Sequence, residues 1–224
     1  MNAYKDIRGV TLDVGGTMLE PWPSVGHVYA QVAAESGFPG LNPEDLNAGF
    51  RMSWKLRRNF QHSRDQWAEL VDASFSGLIP VQPSATFFPA LYDRFAEPKA
   101  WRLYEDVLAT LDTLASEGIQ LAVVSNWDER LRPLLDRFKL ASYFDVIVVS
   151  CEVAFPKPSP VIFEEAVRKM GLLPQQILHV GDHPREDVEG ARGAGLAALH
   201  LQRGGRPGDG IINSLSDIPS LLSR

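Results

Sequence analysis

Asp13 is the residue around which the possible chemistry of this sequence is organised. It follows an apolar run that begins at Ile7, and it precedes two glycines, Gly15 and Gly16. The run predicts a short buried strand, and glycines allow the chain to turn sharply where that strand ends. In open parallel α/β sheets, ligands bind at the carboxyl ends of the strands. A carboxylate at this place is a candidate nucleophile or metal ligand, although an Asp can also simply cap a turn.

Three further polar residues, Ser125, Lys157 and Asp182, are expected at the ends of other parallel strands, and Asp187 follows closely. Because parallel strands share one direction, these side chains should converge with Asp13 on one crevice. Neighbouring carboxylates repel one another and favour a bound cation, and oxygen donors favour Mg²⁺. The lysine adds a positive charge, so an anion that bridges the metal and the lysine fits the site. A phosphate group is the natural candidate.

The elements that would position these residues alternate from Tyr104 to the end of the chain. Amphipathic periodicity predicts helices here, and short apolar runs predict strands. The predicted strands span 119–124, 146–149, 177–180 and 196–201, and the predicted helices span 107–115, 129–139, 159–170, 186–194 and 215–222. Such alternation predicts an α/β fold class, with a Rossmann-like parallel sheet covered by helices on both faces.

Residues 21–96 interrupt this alternation directly after the first strand. They contain four segments of helical periodicity and no strand-like alternation, so an inserted helical-bundle cap domain is expected there. The α/β core would then comprise residues 1–20 and 97–224. Two proline-bearing connectors, 18–24 and 96–103, are expected to act as hinges that let the cap close over Asp13.

Composition narrows the function classes. The 224-residue chain carries a net charge of −6, which disfavours nucleic acid and anionic membranes as partners. Its single cysteine, Cys151, excludes an internal disulfide and suits a reducing compartment. No apolar run reaches the ~20 residues that span a bilayer, and no signal peptide is expected before the first strand. The expectation is a cytoplasmic protein whose partner is a small phosphorylated molecule.

Four short motifs resemble those of the haloacid dehalogenase-like (HAD) hydrolase superfamily, and they occur in the family's order. The matching residues are Leu12-Asp13-Val14-Gly15-Gly16-Thr17, Val124-Ser125-Asn126, Phe155-Pro156-Lys157-Pro158 and Val180-Gly181-Asp182-His183-Pro184-Arg185-Glu186-Asp187. Each motif alone is a weak signal, whereas four in register are specific. The resemblance covers residues 1–20 and 100–202, and the insertion resembles the family's helical cap in position and helical content.

The resemblance implies a role for each matched residue. Asp13 would attack phosphorus and form an aspartyl-phosphate. Ser125 and Thr17 would hydrogen-bond the transferred phosphoryl group, and Lys157 would neutralise charge between the nucleophile and the phosphate.

The resemblance also implies Mg²⁺ as the cofactor. Asp13, Asp182 and the backbone carbonyl of Gly15 would hold it. Asp187 belongs to the same acidic cluster and would orient Lys157 or a metal-bound water. The residues expected to contact the substrate are Gly16, Asn126 and Lys55.

Gly15 is the departure from the family pattern. The family usually carries at this position an Asp that acts as general acid and base, and such a group contributes about 10²–10⁴ in rate. The expected function is therefore a Mg²⁺-dependent phosphatase of small metabolites with weakened or unusual acid catalysis. The alternative from another class is a catalytically weak protein that binds a phosphorylated ligand or a protein partner.

Three other activities fit the motifs less well. Dehalogenases also lack the second Asp, but they carry an aromatic residue there and lack the metal-binding fourth motif. Phosphonate hydrolases have a small residue at this position and use a cap lysine as a Schiff base. Lys55 is the candidate for that role, although a solvated helix face is its simpler interpretation. Actin-like sugar kinases share the pattern Asp-x-Gly-Gly-Thr, but they are longer and contain a duplicated domain.

Overall fold

The computed structural model describes residues 4–206 and 208–222, and the chain divides into two compact units. The α/β unit takes its described residues from Met1–Leu19, Leu103–Glu129 and Lys139–Arg224. The helical unit comprises Glu20–Arg102 and Arg130–Phe138. In the described part of the chain, no helix combines the length and the apolar character needed to cross a membrane.

A six-stranded parallel sheet forms the centre of the α/β unit. The strands of the described chain are β1 (Gly9–Leu12), β2 (Leu19–Pro21), β3 (Trp101–Leu103), β4 (Gln120–Ser125), β5 (Val146–Val149), β6 (Ile177–Gly181), β7 (Ala197–Leu201) and β8 (Ile211–Ile212). The sheet order is β5-β4-β1-β6-β7-β8, and each neighbouring pair is parallel. Leu12 lies opposite Val123 of β4 and Val180 of β6, so Asp13 emerges between two parallel neighbours.

Helices cover this sheet and form the second unit. The helices of the described chain are α1 (Val25–Glu35), α2 (Pro43–Leu56), α3 (Arg64–Ser74), α4 (Phe88–Arg94), α5 (Val107–Ser116), α6 (Leu131–Arg137), α7 (Ser150–Val153), α8 (Pro160–Met170), α9 (Gly190–Gly193) and α10 (Asp217–Leu222). Helix α8 buries Ile162 and Phe163 in one cluster with Val124 and Val148 of the sheet. Burial of these apolar side chains holds the helix against the strands that carry the site.

The helical unit has its own aromatic core, built from helices whose starts are capped. Ser24 accepts a hydrogen bond from the N–H of His27 at the start of α1, and Asn42 caps α2 in the same way. Tyr29 of α1 stacks on Phe75, with ring centroids 5.4 Å apart. Both side chains are buried, so the unit buries a core without help from the sheet.

The structure differs from the sequence-based predictions in three places. Strands β2 and β3 pair as a small separate sheet, and they lie within or at the edge of the connectors 18–24 and 96–103, for which no strands are predicted. The segment predicted as one helix over 186–194 begins as a π-helical turn, Pro184–Glu189, before α9. Residues 130–138, assigned from sequence to the α/β core, group with the helical unit. The predicted cap limits, 21–96, stay a prediction.

Candidate active site

Asp13 follows β1 in the middle of the sheet and is buried. Its backbone N–H donates to the carbonyl of Val180 at 3.0 Å, which continues the β1–β6 pairing by one residue. Its Oδ1 accepts two hydrogen bonds, from Ser125 Oγ at 2.8 Å and from Lys157 Nζ at 2.7 Å. No side chain of the described residues donates to Oδ2. The carboxylate is therefore oriented through Oδ1, while Oδ2 is left without a side-chain donor.

Lys157 reaches Asp13 from the loop between α7 and α8, and not from a strand end as the sequence analysis expects. Its buried Nζ also donates to Asp187 Oδ1 at 2.5 Å. Asn126 fixes the loop, because its Oδ1 accepts from the Lys157 N–H at 2.7 Å and its Nδ2 donates to the Lys157 carbonyl at 3.0 Å. The same Nδ2 donates to Glu186 Oε2 at 3.1 Å, which ties two motifs together.

Asp187 is held through both of its carboxylate oxygens. Oδ1 accepts from Lys157 and lies 3.1 Å from Nε2 of His179, and Oδ2 accepts from the backbone N–H of His183 at 2.9 Å. The other ring nitrogen of His179 lies 2.8 Å from Thr11 Oγ1. Asp187 is thus fully engaged by protein groups, which suits a role in orienting Lys157.

Asp182 completes an acidic cluster suited to a divalent cation. One carboxylate oxygen from each of Asp13, Asp182 and Asp187 lies within 4.8 Å of the other two. The Asp182 carboxylate lies against the α-carbon of Gly16, which has φ +76°, and a Cβ there would collide with it. A glycine is therefore needed at position 16, because the positive φ disfavours other residues and because the Asp182 carboxylate leaves no room for a side chain. An all-oxygen donor set of this kind fits Mg²⁺.

The charges in the site are unbalanced before any ligand binds. Burial raises the pKa of Asp13, and the neighbouring Asp187 raises it further against the opposing charge of Lys157. Asp182 is exposed at the edge of the site, yet partial desolvation and the charges of Asp13 and Asp187 raise its pKa to about 7. Three carboxylates against one ammonium favour a bound cation.

Lys157 and Asp187 stabilise each other's charged forms. Burial alone would lower the pKa of Lys157, but the carboxylates of Asp13 and Asp187 outweigh it and raise that pKa. Burial alone would raise the pKa of Asp187, but Lys157 and His179 hold it well below its usual range. Burial lowers the pKa of His179, so its ring is neutral at physiological pH.

Thr17 presents an unsatisfied hydroxyl in the loop after β1. Its Oγ1 is buried and has no hydrogen-bond partner among the residues that the structure describes. Its carbonyl accepts from Arg203 Nη2 at 2.7 Å, and Arg203 is in turn paired with Asp106 at 2.9 Å. Because a buried hydroxyl without a partner is unfavourable, an acceptor oxygen of a ligand would be stabilised here.

Gly15, the departure from the family pattern, is flanked by an aromatic side chain. Its φ lies outside the left-handed region, and a Cβ at this position would stand 3.3 Å from Cζ3 of Trp127. No titratable side chain occupies this position, so the site has no counterpart here of the family's second Asp. The predicted metal contact of the Gly15 carbonyl stays a prediction.

The structure brings most of the predicted site residues together. Four of them, Asp13, Ser125, Lys157 and Asp187, form one hydrogen-bonded set. Asn126 contacts the backbone of Lys157, and its role in substrate binding stays a prediction. Lys55 lies on α2 of the helical unit with an exposed side chain, and its substrate contact also stays a prediction.

Three residues at the site, Thr11, His179 and Trp127, are not predicted from sequence. Thr11 and His179 are polar residues inside otherwise apolar strands, and both are fully buried. A polar residue in a predicted core strand was the available signal, since such a group needs a partner. Trp127 has no comparable signal, because only the fold brings it beside Gly15.

The segment that carries all four motifs matches the model of a known family. Residues 10–200 match the model of the family described as haloacid dehalogenase-like hydrolase. The chain belongs to this family. Human haloacid dehalogenase-like hydrolase domain-containing protein 3 is 32% identical over 201 residues, which span 85% of this chain and 80% of that protein. The phosphoglycolate phosphatase of Escherichia coli K12 is 28% identical over 233 residues, 97% of this chain and 90% of that protein.

The fold of this HAD hydrolase agrees with solved structures. A putative HAD-hydrolase from Bacillus subtilis, solved bound to magnesium, superposes with a TM-score of 0.78 at 19% identity, covering 97% of this chain and 99% of that one. Similarity at this identity concerns the fold. The predicted α/β Rossmann-like class and the predicted family are confirmed, and the protein is a hydrolase. The assignment to a cap subgroup stays a prediction.

Proposed function

We propose that this HAD hydrolase is a phosphatase of small molecules, with Asp13 as nucleophile and Mg²⁺ as cofactor. The observation that carries the proposal is the Asp13 carboxylate, which Ser125 and Lys157 hold through one oxygen. The other oxygen is left for attack on phosphorus. Similarity to a phosphoglycolate phosphatase supports a phosphorylated small molecule as the substrate class.

The reaction consists of two displacements at phosphorus. Asp13 attacks, the bond from phosphorus to the leaving oxygen breaks, and the leaving group departs with its electron pair. Water then attacks the phosphorus of the aspartyl-phosphate, and the bond from phosphorus to the Asp13 oxygen breaks. The electron pair of that bond restores the carboxylate, and the water protons leave with the inorganic phosphate or pass to solvent. Both steps need the phosphoryl oxygens to be held and their charge to be neutralised.

The groups around Asp13 supply these functions. Lys157 stays charged, and its Nζ lies 2.7 Å from Asp13, so it reduces repulsion between the nucleophile and an incoming phosphate. The buried Thr17 hydroxyl is free to donate to a phosphoryl oxygen. Ser125 Oγ, which donates to Asp13 in the free protein, is placed to donate to the same group.

Mg²⁺ fits the acidic cluster described above. Asp13 and Asp182 would hold it together with the Gly15 carbonyl, while Asp187, occupied by three donors, would orient Lys157. When bound, the ion would supply positive charge that polarises the phosphoryl oxygens.

The missing acid at Gly15 restricts the substrates that we propose. An alkoxide leaving group needs a proton, whereas acyl and aryl phosphates have leaving groups that depart as anions. We therefore propose acyl or similarly activated phosphates as the preferred substrates. A cytoplasmic location and the absence of nucleic-acid or membrane partners remain part of the proposal, on the strength of the acidic composition.

A panel of substrates tests the function. Purified protein with Mg²⁺ is assayed against acetyl phosphate, nitrophenyl phosphate, phosphoglycolate and sugar phosphates, with phosphate release as the readout. We expect turnover of the first two and slow turnover of the alkyl esters. Asp13→Asn keeps the shape of the side chain and should abolish turnover. Equal activity of Asp13→Asn and the wild type would refute Asp13 as the nucleophile.

A second candidate function is the binding of a phosphorylated ligand without turnover. Gly15 favours it, because the site lacks the usual proton donor. It predicts that the wild-type protein with Mg²⁺ binds phosphate or a phosphorylated ligand by calorimetry and hydrolyses no member of the panel. That result would replace the phosphatase proposal.

A further inference from the structure

Two polar side chains are buried within the sheet beside the site. Thr11 of β1 and His179 of β6 are directly opposite in the parallel pairing, and both are fully buried. Thr11 Oγ1 lies 2.8 Å from His179 Nδ1. The imidazole packs edge-on against Phe163 of α8, with ring centroids 5.1 Å apart and planes at 81°. A strand on one side and a helix on the other therefore fix the ring.

The hydrogen-bond directions follow from the partners. Asp187 accepts from Lys157 and from the His183 N–H, so its carboxylate is also the acceptor toward His179. Nε2 of His179 must then carry the hydrogen, and in the neutral ring Nδ1 is an acceptor. The Thr11 hydroxyl consequently donates to Nδ1. Donation runs from Thr11 to His179 and from His179 to Asp187, whose Oδ1 also accepts from Lys157.

The four residues of this hydrogen-bond network lie on elements of different rigidity. Thr11 and His179 lie on neighbouring strands at the centre of the sheet. Asp187 lies on a π-helical turn. Lys157 lies in a loop, and its ammonium group is at the end of a flexible side chain. Catalytic groups are most precise when rigid elements support them, and a displacement of about 1 Å can cost about 10²-fold in rate.

We propose that Thr11 and His179 are positioning residues, which hold Asp187 and through it the ammonium group of Lys157 in place for phosphoryl transfer. Both act through Asp187 and not on the substrate, because their polar side-chain atoms are engaged with each other and with the Asp187 carboxylate. This inference rests on the proposed phosphatase function. It adds two residues outside the four motifs: Thr11 of β1 directly precedes the first motif, and His179 of β6 directly precedes the fourth.

Paired variants test the donors one at a time, with nitrophenyl phosphate and saturating Mg²⁺. Thr11→Val keeps shape and loses the hydroxyl, and we expect kcat to fall about threefold to tenfold with KM unchanged. His179→Leu should lower kcat by about 10–100-fold. Thr11→Ser and His179→Gln keep the donors and should stay within about threefold of the wild type. Unchanged kcat in both Thr11→Val and His179→Leu would overturn the proposal.

A double variant separates positioning from general packing. If Thr11 acts through His179, adding Thr11→Val to His179→Leu should cause no further loss of kcat. Independent, multiplying losses would overturn the proposal. If His179→Leu fails to fold, the near-isosteric comparison of Thr11→Val with Thr11→Ser decides instead, since a rate difference between them at equal stability requires the hydroxyl.

Nitrogen-15 NMR of the metal-free protein tests the hydrogen-bond directions without any turnover. We expect His179 as a neutral ring with hydrogen on Nε2, and a shifted Nδ1 resonance in Thr11→Val. Hydrogen on Nδ1, or a charged ring, at neutral pH would overturn the positioning network. Failure of the wild type to hydrolyse any phosphate would instead overturn the proposed function, so the two failures are distinguishable.

Discussion

Under the proposed function, a single missing side chain should determine which leaving groups the site can expel. Gly15 stands where the family usually has its general acid, and its backbone φ lies outside the left-handed region, so an L-residue is not strained there. A Cβ would approach Trp127 to 3.3 Å, which requires the ring to move by a few tenths of an ångström. The backbone therefore accepts a carboxylate, and restoring one is an informative experiment.

Gly15→Asp should raise kcat/KM for alkyl phosphates such as phosphoglycolate by about 10²-fold or more, because it supplies the missing proton donor. Nitrophenyl phosphate should change little, since its leaving group needs no proton. Gly15→Asn is the matched control, which has the same size without an acid. A folded, Mg²⁺-binding Gly15→Asp with no gain on any alkyl phosphate would argue against a latent phosphatase.

Asp182→Asn should stabilise the metal-free protein at pH 8. The pKa of Asp182 is raised to about 7 in the folded protein, above its ordinary value of 3.8. Its ionised form is therefore unfavourable in the fold, and this penalty is present above pH 7, shrinks as the pH falls toward 4, and is absent below that. Thermal unfolding should show a higher Tm for the variant at pH 8 and a smaller difference at pH 5.

The same Asp182→Asn variant should lose its Mg²⁺ affinity in calorimetry, because a carboxylate ligand is gone. The Tm difference should also reverse when the wild type is saturated with Mg²⁺, since ligand binding stabilises only the wild type. A Tm gain that is equal at pH 8 and pH 5 would show that ionisation is not its cause.

At the level of elements, the site depends on close approach between a strand end and a helical turn. Gly181 is the last residue of β6, and a Cβ there would collide with the buried Asp187 side chain of the π-helical turn. This contact places Asp187 within reach of both His179 and Lys157. A small residue at the strand end is thus a requirement of the turn that follows it.

Gly181→Ala should destabilise the protein by about 1–3 kcal/mol and lower kcat, because Asp187 must move to accommodate the methyl group. Urea denaturation and turnover of nitrophenyl phosphate measure the two effects. Gly193→Ala in α9 is the control, since its Cβ would meet nothing within 4 Å, and it should be neutral or slightly stabilising. Similar losses in both variants would contradict this account.

An element is predictable from sequence when the residues that stabilise it are close to it in the chain. Helices α1 and α2 are predictable from local sequence, because Ser24 and Asn42 cap their starts. The core strands are apolar runs of four to six residues. Strands β2 and β3 have three residues each, which is too short to show a period, and they pair across a long separation in sequence.

The site was predictable where one residue type carries the chemistry and not where geometry does. The proposed nucleophile Asp13 and the aspartates near it could be found because ligands bind at the carboxyl ends of parallel strands. The hydrogen-bond partner of His179 could not, because Thr11 is 168 residues away in sequence. The approach of Trp127 to Gly15 likewise exists only after the chain has folded.

On the scale of the whole molecule, the helical unit is discontinuous in sequence. Helix α6 belongs to it although it follows β4 of the sheet. Arg130, just before α6, donates to the Tyr92 carbonyl at 2.9 Å and lies 3.6 Å over the Tyr92 ring. Both residues are buried, so this contact joins the two segments of the unit.

Arg130→Ala should therefore destabilise the protein by about 1–3 kcal/mol, from the lost hydrogen bond and the lost cation–π contact. Arg137→Ala, on the same helix, removes a half-exposed ion pair with Glu97 and an exposed hydrogen bond to the Ala96 carbonyl, and it should cost about 0–1 kcal/mol. Chemical denaturation of both variants gives the comparison. A loss at Arg130 no larger than that at Arg137 would show that the contact contributes little.

The discontinuous unit also limits how this enzyme can be rebuilt by recombination. The backbone passes between the two units four times, after Leu19, Arg102, Glu129 and Phe138. A module inserted at a single point needs two junctions and can be exchanged as one cassette, whereas this one needs four. A chimera that imports only residues 20–102 from a relative would pair a foreign bundle with the native α6 and Arg130. Functional chimeras should therefore require residues 130–138 to come from the same parent as the insertion.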